Sequence, residues 1–211
     1  MRFDLCDIFE RCLKANYKTV ENDGSYSTYK TYDTRYILFQ QSNGIVDWKN
    51  NFDFPAKPYS GMDVPWKCHR GFLRVWKSIR PFICNALIDS NFKNCVIVGY
   101  SHGAAIAALC FEYVWYNFPE KRKCLYGFSF GSPKIFYGRK NFSFLENRFE
   151  NYINIINAND LVTKLPPKIF GYRRLGKEIN IGKGKKFFSV NDHRAENYQK
   201  GLKSINCTID I

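Results

Sequence analysis

Residues 94–110, NCVIVGYSHGAAIAALC, decide how the rest of this chain is read. Cys95–Val98 is a short apolar run and predicts a buried strand. Gly99-Tyr100-Ser101-His102-Gly103 follows, and residues 104–114 predict a helix built largely of small side chains. Gly-x-Ser-x-Gly between a strand and a helix is the nucleophile-elbow pattern. Its basis is steric: the serine occupies a sharp, strained turn, and the flanking glycines let the strand and helix backbones approach closely. Ala104, Ala105, Ala107 and Ala108 extend that close approach along the helix. The bare pentapeptide arises by chance; the strand before it and the small-residue helix after it give it weight.

Outward from this stretch, the pattern is that of an α/β domain. Residues 3–18 carry apolar side chains at helical spacing, so an amphipathic helix is expected to cover a sheet. Residues 21–32 are polar and tyrosine-rich and read as loop or frayed edge, whereas 34–40 (TRYILFQ) read as a core strand. A long helix is expected over 73–90, with Pro81 inside it. Strands are expected over 124–130 and 152–156, with a short surface helix over 141–151 between them. Residues 172–181 read as a strand paired with 186–190 around Gly182-Lys183-Gly184, and a last helix covers 195–205. No repeat, linker or break in composition marks a second domain, so residues 1–211 are expected to form one.

A serine hydroxyl needs a base to become a nucleophile, and that base is usually a histidine oriented by a buried carboxylate. In the elbow fold the chain order is serine, acid, histidine. Only three histidines are present. His69 precedes Ser101, and His102 is its neighbour and cannot curl back onto it. His193, far downstream before the last helix, is the candidate base. Asp160 is the candidate acid, because it follows a predicted strand in the polar cluster Asn157-Ala158-Asn159-Asp160. Asp192 adjoins His193 and is badly placed to reach its ring from behind. The backbone amide of His102 would supply one oxyanion donor, and Ser42, at the carboxyl end of the strand over 34–40, a second.

These motifs are collinear with those of the lipase class 3 family, the fungal-lipase-like branch of the α/β-hydrolases, which the chain resembles. The family pattern G-[HY]-S-[LH]-G-[GA]-A reads GYSHGAA at 99–105. N-x-x-D-x-V-x-x-L-P is matched by Asn157, Asp160, Val162, Leu165 and Pro166. H-x-G-F is matched by His69, Gly71 and Phe72, and D-H-x-x-Y by Asp192 and His193 with Tyr198 displaced. The oxyanion strand F-R-G-[TS], followed by D-W and an asparagine, appears as Phe39-Gln40-Gln41-Ser42 and Asp47-Trp48-Lys49-Asn50. Gln40-Gln41 departs from the family's Arg-Gly and removes a glycine from the oxyanion loop.

The resemblance implies an α/β-hydrolase fold, a mostly parallel central sheet flanked by helices. It implies a triad of Ser101, Asp160 and His193, with Ser42 and His102 in the oxyanion hole. It places a lid over residues 45–54 and His69 near the floor of the site. Trp48, Phe52 and His69 are the residues expected to touch substrate. The implied activity is serine ester hydrolysis on acylglycerols or phospholipids through an acyl-enzyme, with no cofactor and no metal. A short-chain esterase, a thioesterase or other serine acyl hydrolase or acyltransferase, and a non-catalytic lipid binder are the competing readings.

The net charge of +13 favours anionic partners, but no nucleic-acid recognition motif accompanies it. Between Lys164 and Lys186, Lys168, Arg173, Arg174, Lys177, Lys183 and Lys185 face a single acid, Glu178. This stretch is expected to be a solvated basic surface or a peripheral contact with an anionic membrane. Eight cysteines make no C-x-x-C pair, several lie in apolar runs, and the first residues carry acids where a signal peptide would be apolar. Together these predict a cytoplasmic or otherwise intracellular protein with free thiols.

Overall fold

The structure, a computed structural model, describes residues 1–40, 53, 55–59, 66–88, 92–138, 143–184 and 187–211. Arg2–Asp4 forms strand β1, and helix α1 runs over Leu5–Lys14, its first turn capped by the Asp4 side chain. Strands β2 (Lys18–Val20), β3 (Gly24–Thr31), β4 (Thr34–Phe39), β5 (Ala56–Pro58) and β6 (Lys67–His69) precede helix α2 (Arg70–Ile88). Strand β7 (Asn94–Tyr100) leads into helix α3 (His102–Asn117), then strands β8 (Leu125–Phe130) and β9 (Phe136–Tyr137). A four-residue helix, α4 (Ser143–Glu146), is followed by strands β10 (Tyr152–Asn157), β11 (Tyr172–Arg173) and β12 (Lys177–Ile181). Helix α5 (Ala195–Lys203) and strand β13 (Thr208–Asp210) close the sequence.

The main sheet has the order β12-β10-β8-β7-β4-β3-β2 among the described residues. The ladders joining β4, β7, β8, β10 and β12 are parallel, and β2-β3-β4 adds an antiparallel edge. Parallel strands need cover on both faces, which is why the central ones read as continuous apolar runs. Every residue of β7 is buried. One face packs Ile37, Phe39 and Ile97 against α2 and α3 around Trp76. The other packs Leu38, Val96, Val98 and Phe130 against α1 and α5 around Phe9 and Tyr198. The alternation within β4 thus feeds two cores. Because these strands run the same way, Phe39, Tyr100, Phe130 and Asn157 all end at one edge of the sheet, where open α/β folds place their sites.

Several elements differ from the sequence expectation. Within the stretch expected as loop or frayed edge, residues 24–31 form a full strand: the period-two row Tyr26, Thr28, Lys30 against Ser27, Tyr29, Thr31 pairs with β4 from Tyr26↔Phe39 to Thr31↔Thr34. The expected helix over 3–18 is shorter, because β1 pairs with β13 and β2 with β3 at its two ends. The expected hairpin across Gly182-Lys183-Gly184 is absent among the described residues. Residues 177–181 instead lie parallel to β10, and Ser189 bridges to Asp160. No helix among the described residues is long and apolar enough to cross a membrane.

Candidate active site

The turn between β7 and α3 holds Ser101 at φ 58°, ψ −122°, a backbone region that a side chain-bearing residue occupies only under strain. Gly103 makes the turn possible. A Cβ there would lie 2.3 Å from the carbonyl oxygen of Phe39 and 2.4 Å from that of Gln40. Helix α3 therefore sits directly against the end of β4, and Ser101 stands at the sheet edge with its amide bonded to the carbonyl of Phe130 at 2.9 Å.

Oγ of Ser101 lies 2.6 Å from Nε2 of His193, and Nδ1 of His193 lies 2.7 Å from Oδ2 of Asp160. Asp160 is fully buried and the His193 side chain is 15% exposed. The second carboxylate oxygen of Asp160 accepts from the amide of Val162 at 2.9 Å. The hydroxyl of Tyr198 on α5 donates to Oδ2 of Asp160 at 2.6 Å and accepts from the amide of Asn157 at 3.2 Å. Burial first, and the Asp160 charge second, hold the Tyr198 phenol well above its ordinary range, so it stays a donor. Four contacts position the His193 segment. The Tyr100 hydroxyl donates to the His193 carbonyl, and its ring stacks on the imidazole with centroids 5.5 Å apart. Nδ2 of Asn157 donates to the Asp192 carbonyl at 2.8 Å, and the Asp192 carboxylate takes the amide of Asn159 at 3.1 Å. Asp192 thus anchors the loop and does not face the imidazole.

His102 opens α3 beside Ser101 and is itself buried. Burial, then the nearby His69, depresses its imidazole to about 4, so it is neutral at ordinary pH. His69 has no exposed surface and packs against Phe72 and Tyr172, with ring centroids 4.2 and 5.9 Å away. It therefore sits in the packed interior with no solvent-facing surface. Ser42, Trp48 and Phe52, and all of 45–54 except Asp53, lie outside the described residues. Asp53 itself is tied to α2 by Arg70 at 2.7 Å and by Arg74, and these cations hold its carboxyl below the usual range.

A cavity of about 410 Å³ opens beside the site, lined by Tyr100, Val190, His193, Arg194, Ala195 and Glu196. A larger one, about 690 Å³, lies between α1 and β3 and shares no residue with the Ser101 cluster. The basic stretch is less uniform than its sequence implies. Arg174 is turned inward, donating to the carbonyls of Ser132, at 3.1 Å, and Thr163. Lys134 donates to the Lys164 carbonyl at 2.5 Å, and burial lowers it to about 8. These two cations brace the loop that follows Asp160. Lys168, Lys177 and Lys183 remain on the surface.

Sequence reasoning missed Tyr198 as a partner of Asp160, Tyr100 as a support for His193, and Gly131. A Cβ on Gly131 would lie 2.9 Å from the His193 ring, and its φ is +63°. Its place directly after β8, at the same sheet edge as Ser101, was the available signal.

This fold is that of the α/β-hydrolases, with a serine, a histidine and a carboxylate in hydrogen-bonded series at the carboxyl edge of the sheet. The chain belongs to the lipase (class 3) family, whose profile matches residues 36–170. It is 29% identical over 156 residues to the secreted mono- and diacylglycerol lipase 1 of Fusarium solani, covering 70% of this chain and 44% of that protein. It is 28% identical over 156 residues to a lipase of Rhizomucor miehei, covering 70% and 42%. The chain thus spans less than half the length of both relatives. Its fold superposes on a fungal lipase–inhibitor complex with a TM-score of 0.74 at 19% identity, covering 96% of this chain and 92% of that one.

The expected cytoplasmic or intracellular location is overturned by these relatives: the Fusarium solani protein is named as secreted, which points outside the cell. The expectation leaned on the acidic first residues and on the cysteines, and apolar burial of a thiol is a packing property that does not report the redox state of a compartment. Two of the eight cysteines, Cys6 and Cys207, moreover lie against one another.

Proposed function

We propose that this protein is a serine hydrolase of lipid esters, acylglycerols or phospholipids, in which Ser101 is the nucleophile, His193 the base and Asp160 the orienting acid. The unbroken line of hydrogen bonds from Ser101 Oγ through His193 to Asp160 Oδ2, at 2.6 and 2.7 Å, carries this reading. As Oγ attacks the ester carbonyl, its proton passes to Nε2, and the buried carboxylate stabilises the imidazolium that forms. The His102 amide and Ser42 are the proposed donors to the oxyanion. His193 then protonates the departing alcohol, leaving an acyl group on Ser101. Water, deprotonated by the same nitrogen, releases the fatty acid and restores the serine. Trp48 and Phe52 are the proposed contacts to the acyl chain.

The substrate surface is proposed to be an anionic lipid interface. Ile169, Phe170, Phe187, Phe188 and Val190 are 56–83% exposed, and all belong to segments flanking the Asp160 loop or His193. Lys168 immediately precedes Ile169, and exposed Lys183 lies four positions before Phe187, a combination of apolar anchors and cations that suits a charged bilayer surface. The Fusarium solani relative supports an extracellular place of action.

A substrate panel tests the reading: p-nitrophenyl esters, mono-, di- and triacylglycerols, and neutral and anionic phospholipid vesicles. Hydrolysis of the long-chain lipids, lost in S101A, is the expected result. Turnover confined to water-soluble short esters would overturn the lipid assignment and leave an esterase. Vesicle binding that is indifferent to salt would remove the electrostatic contribution.

A further inference from the structure

The first and last residues of the sequence form a two-stranded ribbon. Its register sets Arg2 against Asp210, Phe3 against Ile209 and Asp4 against Thr208. The amide of Leu5 extends the ladder to the carbonyl of Cys207 at 2.9 Å, and the amide of Ile211 reaches that of Met1 at 3.0 Å. This pairing brings Cys6, in the first turn of α1, beside Cys207, which immediately precedes β13. Their Sγ atoms lie 2.7 Å apart, although the residues are 201 positions apart in sequence. Both thiols are half-buried. Other cysteines have different neighbours: Cys12 lies 3.6 Å from the Tyr17 hydroxyl and Cys84 lies 3.2 Å from that of Tyr113.

We infer that Cys6 and Cys207 are a disulfide-forming pair, a covalent clasp between the N-terminal helix and the segment that carries His193 and Tyr198. A disulfide needs its two sulfurs about 2.05 Å apart on backbones already at pairing distance. The β1–β13 ladder supplies those backbones, so closure needs only side-chain movement. The link would close a loop 201 positions long, and long loops are those in which a cross-link restricts the unfolded state most. It would also be felt at the site. Helix α1 packs Phe9 against Tyr100 and Tyr198, with centroids 5.3 and 5.9 Å away, and Glu10 takes a hydrogen bond from Gln199 on α5 at 3.1 Å.

The reaction is thiol–disulfide exchange with a small-molecule disulfide such as oxidised glutathione. One cysteine, as thiolate, attacks a sulfur of the oxidant, forming a mixed disulfide and expelling one glutathione thiolate. The second cysteine attacks the protein sulfur of that intermediate, forms the Cys6–Cys207 bond and expels the other glutathione. The two protein thiol protons end on the two glutathione thiols; the cysteines are oxidised by two electrons and the oxidant is reduced by two. Burial, followed by the Cys207 thiol, raises Cys6 to about 12, which slows its exchange in the folded, reduced protein. The Asp4 carboxylate lies in the same cluster, with ligand atoms within 4.8 Å of one another. It already accepts from the amides of Cys6 and Asp7 at 2.7 and 3.2 Å, and two sulfurs with one carboxylate leave a tetrahedral metal site incomplete.

The test is peptide mapping of the full chain after equilibration with oxidised and reduced glutathione, alkylation, and digestion without reductant. The expected product joins the Cys6 and Cys207 peptides, lighter by two hydrogens than their sum. It disappears in C6S and in C207S, each of which exposes the partner thiol to alkylation, and persists in C84S. Loss of secondary structure on heating should be several-fold faster in the reduced protein, with no such effect of reductant in the C6S/C207S double variant. Alkylation of both thiols in the oxidised sample would overturn the inference, as would a link from either to another cysteine. Protection without mass loss, relieved by a chelator, would also overturn it in favour of a metal. If the serine variants fail to fold, the wild-type map still decides the matter.

Discussion

Tyr198 donates its hydroxyl to Oδ2 of Asp160 at 2.6 Å, the same oxygen that meets His193 Nδ1 at 2.7 Å. With Val162 on the other oxygen, the buried carboxylate is held by three donors, and one of them sits on a helix that also packs against α1. The proposed acid is therefore aimed by α5 as well as by its own loop.

Removing that hydroxyl tests the arrangement. Y198F keeps the ring in its core position and deletes one donor to a buried carboxylate, an interaction worth ~1.5–3 kcal/mol. The expected kcat on a p-nitrophenyl ester falls roughly tenfold or more, with KM within about twofold, since the Tyr198 side chain is fully buried. An unchanged kcat would show that Val162 and His193 alone orient Asp160.

Gly103→Ala examines the elbow itself. The added methyl would press on two backbone carbonyl oxygens at 2.3 and 2.4 Å, neither of which can rotate away. Overpacking into mobile side chains costs ~1–3 kcal/mol, and rigid backbone exceeds that. The variant is expected to lose more than ~3 kcal/mol in urea unfolding, or to fail to accumulate as folded protein. A wild-type midpoint would mean that α3 does not sit against the end of β4.

Acid stability should carry the signature of His102. Its folded value, about 4, lies below the unfolded value near 6.5, so the folded state binds fewer protons between the two. The stability this contributes is complete above pH 6.5 and is lost as pH falls through 4. A shift of that size corresponds to ~3 kcal/mol at most. Urea unfolding at a series of pH values should fall more steeply in the wild type than in H102L. Parallel curves for the two proteins would contradict the account.

Much of this arrangement was legible in the sequence because its signals are local or ordered along the chain. The strand–turn–helix pattern around Ser101 is contiguous, and the serine, acid, histidine order singles out His193 from three candidates. Asp160 was marked by its place after a strand; these three side chains do meet at one sheet edge. What escaped depends on contacts between distant segments. The alternation of Tyr26, Thr28 and Lys30 looked polar until β4 supplied a partner. Residues 187–190 leave the expected hairpin because the backbone of Ser189 bonds to Asn159 and Leu161 instead. Arg174 reads as surface charge in a basic run, yet two carbonyls outside that run draw it inward. The meeting of Cys6 with Cys207 has no short-range signal at all.

The role assigned to Ser101 is tested by covalent labelling with a fluorophosphonate, which reacts only with an activated serine. The folded wild-type protein should take up one equivalent, recovered on the peptide containing Ser101, while S101A and H193A take up none. A folded wild-type sample that stays unlabelled, or a label recovered on any other serine, would contradict the proposed hydrolase.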